Sequence, residues 1–355
     1  EQTFRDSVEC SMLGAAGVVW DGAPHSLRGD RKIENVPAIG PHQPHWKFSG
    51  GLIEAAARAS WLLSRGYRAC PVLLLHPLSS LQATTGAMSD KEVVGGMSVP
   101  ELLARHFALL SAALLREQFD HDYGDEGILT KHAFAEGRTL RVGKVCYGAV
   151  VVPPSVDIKS DTLQVLQDFA TGGGRIACVG SAPILVDGSA ATAARDFFDE
   201  YAVRLIDGID HFEYGAVIGQ LRAWGLASVK VVTDPPELAE TILVTERAWE
   251  DRRIVAVLNT GETTIEARIE CTGVSACVAE RWDVASGAMT PEWWLNADEV
   301  FTATRTLVPG VPEIHVFIPA KTPVNVPVAR TFRETHQIAL DWRGRRAAAN
   351  VLRLD

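Results

Sequence analysis

One stretch near the middle of the chain constrains the fold more than any other. Tyr147–Val152 is a short apolar run, rich in β-branched residues and ended by two prolines, and it predicts a strand buried on both faces. Ser160 or Asp161 can N-cap the next segment, whose apolar residues recur at helical spacing until Gly172–Gly174 end the helix. Arg175–Val179 then predicts a second buried strand. A strand, a helix and a parallel strand form one right-handed βαβ unit.

Segments of similar length flank this unit between residues 67 and 235. Strands that alternate with helices predict an α/β region with a doubly wound, mostly parallel sheet. The predicted strands are Val72–Leu75, Phe119–Tyr123, Leu140–Val142 and Val229–Val232, and the predicted helices are Val99–Gln118, a segment that opens at Asp125, Ala190–Tyr201 and Ala216–Trp224.

The pattern changes after Pro235-Pro236. Short segments in which apolar and polar residues alternate, separated by turn signals such as Ser286-Gly287, predict an antiparallel β-sandwich over residues 236–320. Residues 321–355 resemble the start of a further β-region. The predicted strands of the sandwich are Ile242–Glu246, Arg253–Asn259, Thr264–Glu270, Cys277–Asp283, Val300–Leu307 and Glu313–Ile318.

Residues 1–66 differ from both regions. Phe4–Leu13 predicts the end of a helix, Ala15–Trp20 an apolar strand, and Leu52–Leu63 an amphipathic helix. A long polar loop with several prolines and histidines joins the predicted strand to the second helix and ends at Trp46. In α/β barrels, a loop that follows a strand is where binding and catalytic residues lie.

Composition excludes some classes of partner. The net charge of -10 argues against a nucleic acid or an anionic membrane surface, and no apolar run approaches the ~20 residues of a membrane helix. The six cysteines show no metal-ligand spacing, and we expect reduced thiols, with a Cys271–Cys277 disulfide left open. Residue 1 is Glu and not Met, so we interpret the chain as a fragment or a processed product. Its localisation, in the bacterial cytoplasm, in the periplasm or outside the cell, is therefore left open.

Five segments, in order along nearly the whole chain, resemble the middle of the α-L-rhamnosidase-like glycoside hydrolases of family 106. Each motif is moderately specific, and the order of all five is what makes the resemblance specific. The segments are HSLRGDRKIENVPAIGPHQPHW (His25–Trp46), AARASWLLSRGYRACPVLLLHP (Ala56–Pro77), FDHDYGDEGIL (Phe119–Leu129), GRTLRVGKVCYGAVVVPP (Gly137–Pro154) and Asn259–Gly287.

The resemblance implies a domain order. Residues 1–66 would be the C-terminal remnant of a (β/α)8 catalytic barrel. Residues 67–235 would form a flavodoxin-like domain of the class I glutamine amidotransferase type, residues 236–320 a β-sandwich, and residues 321–355 the lead into a further β-domain. The catalytic carboxylates of this family would lie mainly on earlier barrel strands, so we assign no catalytic pair in this chain.

Five residues of the N-terminal region are candidate carbohydrate contacts. Asp21 directly follows the predicted strand, at a barrel-like catalytic position. The resemblance implies a histidine near Asp21, and this departure counts against an identical sugar specificity. His25, His42 and His45 could line a sugar subsite, with Trp46 stacked on a pyranose face. A strand-end Asp that caps its own loop, and a proline-rich loop packed by its aromatic residues, are the structural alternatives.

Other chemistry finds less support in the sequence. The His42–His45 pair lacks a third ligand, and the acidic run Asp120–Glu126 lacks the fixed glycine and distal glutamate of a calcium loop. We therefore predict no metal and no cofactor. Cys178 lies inside a predicted strand, and no Gly-x-Cys-x-Gly or Gly-x-Ser-x-Gly nucleophile elbow exists, so we interpret the amidotransferase-like region as non-catalytic.

Two hypotheses follow. The first is part of a glycosidase that cleaves terminal sugars, in particular α-L-rhamnosides, with acid and base carboxylates upstream. The second is a non-catalytic module that binds carbohydrate or mediates oligomerisation. The first predicts a carbohydrate substrate, the second allows a homo-oligomer, and neither involves a nucleic acid or a membrane.

Overall fold

A computed structural model describes residues 2–19, 40, 44, 46–85, 92–94, 96–205, 212–274, 277–292, 294–297, 299–319, 344–348 and 351–354. Within these ranges no helix is both long and apolar enough to cross a bilayer. The α-helices are α1 (Gln2–Met12), α2 (Ser49–Leu63), α3 (Leu78–Thr84), α4 (Val99–Arg116), α5 (Glu126–His132), α6 (Ser160–Thr171), α7 (Ala193–Tyr201) and α8 (Gly215–Ala223).

The strands belong to one parallel sheet, two large antiparallel sheets and several small sheets. In chain order they are β1 (Tyr67–Arg68), β2 (Val72–Leu75), β3 (Glu92–Val94), β4 (Met97–Ser98), β5 (His121–Gly124), β6 (Ala133–Glu136), β7 (Thr139–Val142), β8 (Val145–Tyr147), β9 (Ala149–Val152), β10 (Asp157–Ile158), β11 (Arg175–Val179), β12 (Leu185–Val186), β13 (Ser189–Ala190), β14 (Val203–Leu205), β15 (Val229–Thr233), β16 (Ile242–Trp249), β17 (Arg252–Asn259), β18 (Ile265–Cys271), β19 (Cys277–Trp282), β20 (Met289–Glu292), β21 (Leu295–Ala297), β22 (Val300–Leu307), β23 (Pro312–Pro319), β24 (Gly344–Ala348) and β25 (Val351–Leu354).

The parallel sheet is organised around the predicted βαβ unit. Its spatial order is β14-β11-β9-β2-β5, so the first strand in the chain, β2, lies between the second, β5, and the third, β9. Successive residues of β2 face opposite sides, because side chains alternate along a strand. Val72 and Leu74 pack against α4 and α8, whereas Leu73 and Leu75 pack against α5, α6 and α7. Helices therefore cover both faces of the sheet, as the alternating pattern predicts.

Two details of the predicted βαβ unit differ in the structure. The run Tyr147–Val152 is divided at Gly148 into the last residue of β8 and the whole of β9, and Gly148 N–H donates to the Pro71 carbonyl at 2.8 Å. The N-cap of α6 is Lys159, not Ser160 or Asp161. The reason is that carboxyl groups from elsewhere accept from the free N–H groups at this helix end: Asp187 accepts from Ser160 N–H at 3.2 Å.

Two antiparallel sheets pack face to face in the second half of the chain. One has the order β1-β16-β17-β23-β19-β20, the other β15-β18-β22-β21, and side chains from both fill a shared apolar core. The prediction that Val229–Val232 belongs to the parallel sheet is wrong, because β15 pairs antiparallel with β18. The same prediction for Leu140–Val142 is also wrong, because β7 pairs antiparallel with β6 and β8 in a separate sheet. Smaller sheets are formed by β6, β7 and β8, by β10, β12 and β13, by β3 and β4, and by β24 and β25.

Helices α1 and α2 cover the outer face of the six-stranded sheet. Val8 of α1 and Ala59 and Leu62 of α2 are buried against alternate residues of β17 and β23. The predicted strand Ala15–Trp20 is wrong over its described part, because residues 15–19 pair with no described strand. The mixed α/β architecture is thus confirmed, with an N-terminal helical layer on one antiparallel sheet.

Candidate functional site

Of the five candidate sugar contacts, the structure describes one, Trp46. Asp21, His25, His42 and His45 lie outside the described residues. Trp46 begins a short 3₁₀ helix, Trp46–Phe48, which leads into α2, and 39% of its surface is exposed. An exposed ring is available for stacking, so the role of Trp46 stays a prediction.

A groove of about 580 Å³ separates α2 from the β19–β20 hairpin. Ala57 and Trp61 of α2 line one side, and Trp282 and Met289 line the other. Trp61 is 48% exposed and meets Trp249 edge to face at 5.8 Å between ring centroids, and Trp249 meets Trp282 in the same way at 6.4 Å. The walls of this groove are therefore mainly aromatic and aliphatic.

Polar groups at the rim of the groove already have partners. The Arg58 guanidinium donates to the Val284 and Ala285 carbonyls, both at 2.9 Å, and to Glu54 at 2.7 Å. Asp283 accepts from Ala285 N–H at 2.9 Å. The groove thus offers apolar surface and few free hydrogen-bonding groups, which suits an apolar partner better than a sugar.

In an open α/β sheet, ligands bind where neighbouring strands connect in opposite directions, at the carboxyl ends of the strands. That point here lies between β2 and β9. Ser79 on α3 follows β2, and its hydroxyl donates to the carboxyl group of Glu126. Glu126 is 2% exposed and accepts Lys159 N–H at 2.8 Å. The crevice is therefore crossed by hydrogen bonds that join three connections of the sheet.

Ser80 closes the same crevice from the other side. Its hydroxyl accepts from Val156 N–H and Asp157 N–H, both at 3.0 Å, and donates to the Asp157 carbonyl at 2.8 Å. Ser80 is fully buried. At the position where this fold class usually binds its ligand, polar groups of the chain thus form hydrogen bonds with one another.

The thiols of the parallel sheet are poor nucleophiles. Cys178 is fully buried within β11, and burial raises its pKa to about 12. Burial also raises the pKa of Cys70. Because the thiolate is the reactive form, neither thiol resembles that of a catalytic cysteine. All six cysteines are free, including Cys271 and Cys277.

The amino ends of the strands carry a buried ionic cluster. Arg68 of β1 lies between two carboxylates: it donates to Asp120, and it is 3.2 Å from Asp122. Asp120 also accepts the Thr245 hydroxyl of β16 at 2.7 Å. Burial opposes the charge of Arg68, but the two aspartates outweigh burial and raise its pKa. The cluster therefore ties the parallel sheet to the six-stranded antiparallel sheet.

Asp122 has neutral partners as well. The Tyr147 hydroxyl donates to it at 2.9 Å and the Cys70 thiol at 3.0 Å. Burial and the neighbouring carboxylate raise the pKa of both donors, so both stay protonated at neutral pH. This arrangement stabilises a junction and offers no general base to a substrate.

The acidic run Asp120–Glu126 is divided among separate tasks. Asp120 and Asp122 hold Arg68, Asp125 caps α5 by accepting Ile128 N–H at 2.9 Å, and Glu126 binds Ser79. Among the described residues no three His, Cys, Asp or Glu side chains form a group that could hold a metal ion.

A second ionic cluster lies between the two antiparallel sheets. Glu292 of β20 is 2.8 Å from Arg305 of β22 and 2.8 Å from His315 of β23. Burial would raise the pKa of Glu292, but its hydrogen bonds and charge interactions with His315 and Arg305 outweigh burial and lower it. Glu292 thus prefers to stay ionised in the folded protein.

We expect Glu292 to make stability depend on pH. A carboxyl group whose pKa is lower in the folded state stabilises fully above its unfolded pKa of about 4.3, and the contribution is lost as the pH falls through the folded pKa. Urea unfolding at a series of pH values should show this loss below about pH 4.3, and Glu292→Gln should reduce it. Glu136→Gln, at an exposed ion pair, is the control that should leave the profile unchanged. Equal profiles for the wild type and Glu292→Gln would contradict the assignment.

No known protein-family model and no curated protein sequence matches the chain. Solved structures do. The rhamnosidase from Novosphingobium sp. PP1Y aligns with a TM-score of 0.56 at 15% identity over 82% of this chain and 26% of that one. A catalytic mutant of a GH42 β-galactosidase from G. stearothermophilus aligns with a TM-score of 0.55 at 12% identity, over 85% and 50%. The β-galactosidase from Bacillus circulans sp. alkalophilus aligns with a TM-score of 0.52 at 11% identity, over 80% and 46%.

The chain has a glycoside hydrolase-like fold. It spans between about a quarter and a half of the length of these three structures. The likeness to each of these structures extends over 80% or more of this chain.

Sequence reasoning missed the residues that fill the crevice of this glycoside hydrolase-like fold. Ser79 and Ser80 lie in a segment rich in Gly, Ser, Thr and Met that predicts no helix, and Glu126 reads as an ordinary acidic first turn. A Ser-Ser pair directly after a buried strand and His76-Pro77 was the available signal, since hydroxyls at that place can bond to neighbouring loops.

Proposed function

We propose that the chain is part of a glycoside hydrolase that cleaves terminal sugars, in particular α-L-rhamnosides, and that it resembles family 106. The observation that carries the proposal is the alignment with a rhamnosidase over 82% of this chain at a TM-score of 0.56. The five ordered sequence motifs, found independently of that alignment, support the same family. A carbohydrate is the substrate class that follows.

The proposed chemistry needs two carboxyl groups on opposite sides of the scissile bond, one as acid and one as base or nucleophile. The buried carboxyl groups described above already serve as partners of Arg68, Ser79 and Arg305. We therefore place the catalytic pair mainly in polypeptide upstream of this chain. Asp21, His25, His42, His45 and Trp46 are proposed to contact the sugar.

The parallel sheet is proposed to be a non-catalytic domain of the flavodoxin-like, amidotransferase-like type. The strand order of the sheet supports this proposal. The order β5-β2-β9-β11-β14 places the second strand of the chain at the edge beside the first, as in flavodoxin-like folds. The filled crevice and the buried Cys178 support the absence of catalysis. The domain ranges 1–66, 67–235, 236–320 and 321–355 remain part of the proposal.

The test compares the chain with a longer form that carries its natural upstream codons. We expect the chain alone to hydrolyse neither 4-nitrophenyl α-L-rhamnoside nor 4-nitrophenyl β-D-galactoside, because it lacks the catalytic pair. The longer form should hydrolyse the rhamnoside. Turnover by the chain alone that disappears in Asp21→Asn would place the active site here instead. A longer form that hydrolyses only the galactoside would support the proposal of a glycosidase and contradict the proposal that rhamnosides are its substrates.

A non-catalytic oligomerisation module is the second candidate. The exposed apolar residues of α2 favour it, since such surface in a folded chain marks an interaction site. Sedimentation of the chain alone distinguishes the two: a stable oligomer that Trp61→Glu dissociates would support the module, and a monomer would not.

A further inference from the structure

Two arginines that lie opposite each other in the six-stranded sheet have different surroundings. Arg68 of β1 and Arg247 of β16 are partners in the antiparallel pair. Asp120 and Asp122 compensate the charge of Arg68. Arg247 is only 9% exposed, yet it forms no ion pair with a described residue. Burial, and next the charge of Arg68, lower the pKa of Arg247, so its positive charge is poorly compensated.

The guanidinium group of Arg247 has two nitrogens to offer. Its Nε donates to the Arg65 carbonyl at 2.7 Å, but its terminal nitrogens donate to no described residue. They are not among the fully enclosed polar atoms of the described chain, so they reach the surface. The terminal nitrogens of a guanidinium form a planar fork that matches the two oxygens of a carboxylate. Arg247 can therefore bind a carboxylate through two hydrogen bonds.

Arg252 lies on the same face of the sheet. It is opposite Trp249 in the β16–β17 pair, and Trp249 is two residues from Arg247, so all three side chains project to one side. The Arg252 guanidinium lies over the Trp249 ring at 5.0 Å. Its Nε is buried without a hydrogen-bond partner in the described part of the chain. The carboxyl groups of Glu250 and Asp251, in the turn between the strands, form no ion pair with either arginine.

Arg65, directly after α2, adds a third guanidinium. Its donors bond to the Trp61 carbonyl at 3.1 Å and to the Ser64 hydroxyl at 3.2 Å, and it forms no ion pair with a described residue. It lies over the Trp61 ring at 4.8 Å, and the Trp61 ring contacts Trp249. Except for Trp61, the residues of this surface do not line the groove beside α2. We call the surface the basic patch; it consists of Trp61, Arg65, Arg247, Trp249 and Arg252.

The charge of the basic patch contrasts with the rest of the chain. The net charge of the chain is -10, and arginines elsewhere, such as Arg204, Arg222 and Arg281, pair with carboxylates. Charges that are partly withdrawn from water are normally paired, because water no longer compensates them fully. Three guanidinium groups on one surface also repel one another. A bound anion would relieve both costs, so the patch has the chemistry of an anion site.

We propose that the basic patch binds the carboxylate of an acidic sugar. The fork of Arg247 receives the two carboxylate oxygens, and Arg65 and Arg252 supply further positive charge. Trp61 is 48% exposed, so its ring can contact the apolar face of the sugar. That a sugar carries the carboxylate rests on the proposed function.

This site is separate from the predicted sugar contacts. Trp46 precedes the first residue of α2, whereas Arg65 follows its last. The 15 residues of α2 span about 22 Å at 1.5 Å per residue. The basic patch is therefore a second site for a glycan chain, at the other end of this helix.

The test is an NMR titration of the tryptophan indole N–H signals at low ionic strength, in the chain alone and in the form with natural upstream codons. The probes are methyl β-D-glucuronide and methyl β-D-glucoside, which differ at the carboxylate. We expect only the glucuronide to shift the Trp61 signal. Arg252→Met should weaken its binding by about tenfold, since a charge-assisted hydrogen bond is lost. Arg195→Met, at an exposed pair with Asp199, is the matched control and should leave the affinity unchanged.

Two further measurements separate the parts of the site. Arg247→Met should abolish binding while circular dichroism shows a folded chain, and Arg252→Met still decides the question if Arg247→Met does not fold. Trp61→Ala, followed through the Trp249 signal, should weaken binding of the glucuronide more than binding of acetate, because acetate has no ring to contact Trp61.

Several results would overturn the inference. They are no shift with the glucuronide, equal affinity for glucuronide and glucoside, equal losses in Arg252→Met and Arg195→Met, tighter binding of a methyl glucoside 6-sulfate, equal affinity for acetate and glucuronide, and binding by the chain alone but not by the longer form. Glycosidase activity is measured separately. Glucuronide binding without hydrolysis by the longer form would support the patch and contradict the proposed function, and hydrolysis without binding would do the reverse.

Discussion

Replacing Arg68 with methionine is expected to lower the free energy of unfolding by about 3–5 kcal/mol. Methionine keeps most of the side-chain length but removes the charge that separates Asp120 from Asp122. The Asp120 side chain is only 8% exposed, so its carboxylate would remain buried without a counterion. Breaking a buried pair in this way costs more than the pair contributes, because desolvation of the remaining charge is no longer compensated.

The measurement is urea unfolding, followed both by tryptophan fluorescence and by far-ultraviolet circular dichroism. Arg195→Met is the control, since Arg195 is 68% exposed in its pair with Asp199, and it should change stability by less than about 1 kcal/mol. If Arg68 joins the two sheets as its contacts indicate, the two probes should separate into different transitions in Arg68→Met but coincide in the control. Equal losses for the two variants would mean that the cluster contributes no more than a surface pair.

Local periodicity predicted most elements of this chain. The unbroken apolar run Val72–Leu75 and the helical spacing of Val99–Gln118 correspond to β2 and α4 within two residues. The six sandwich strands follow likewise from alternation and turn signals. These signals are local, because a side chain that points to a core recurs with the period of its own helix or strand.

Local sequence did not predict the sheet to which each strand belongs. Val229–Val232 has the composition of a buried strand, and nothing in its sequence distinguishes a fifth or sixth parallel strand from the edge of an antiparallel sheet. Its partner, β18, lies more than thirty residues away. For the same reason the predicted strand Ala15–Trp20 failed over its described residues: a strand needs a neighbour to bond to, and sequence alone does not supply the neighbour.

The candidate sites show the same limit. Arg68 and Asp120 are about fifty residues apart, and Ser79 and Glu126 nearly as far, so neither pair forms a motif. The predicted sugar contacts, by contrast, were found because prolines, histidines and Trp46 concentrate in one loop. Trp46 is the described residue among them, and its role as a sugar contact stays a prediction.

Replacing Glu126 with alanine should be the other strongly destabilising change, by about 2–4 kcal/mol. The carboxyl group accepts from the Ser79 hydroxyl and from Lys159 N–H, and it is 2% exposed. Alanine would leave Lys159 N–H without its acceptor and the Ser79 hydroxyl with only the Asp157 carbonyl at 3.1 Å, and it would open a cavity at the crevice between β2 and β9. Glu126→Gln retains the volume and one acceptor, so it should cost less, about 1–3 kcal/mol.

The comparison of these variants also tests the non-catalytic interpretation of the parallel sheet. Glu262→Ala, in an exposed turn, is the stability control and should change the free energy of unfolding by less than about 0.5 kcal/mol. If Glu126 only fills the crevice, the longer form carrying Glu126→Gln should keep its kcat and lose Tm. The opposite result, a large loss of kcat with an unchanged Tm, would make Glu126 a functional carboxyl group and the crevice a site. Because Ser79 and Lys159 already occupy both of its oxygens, we expect the first result.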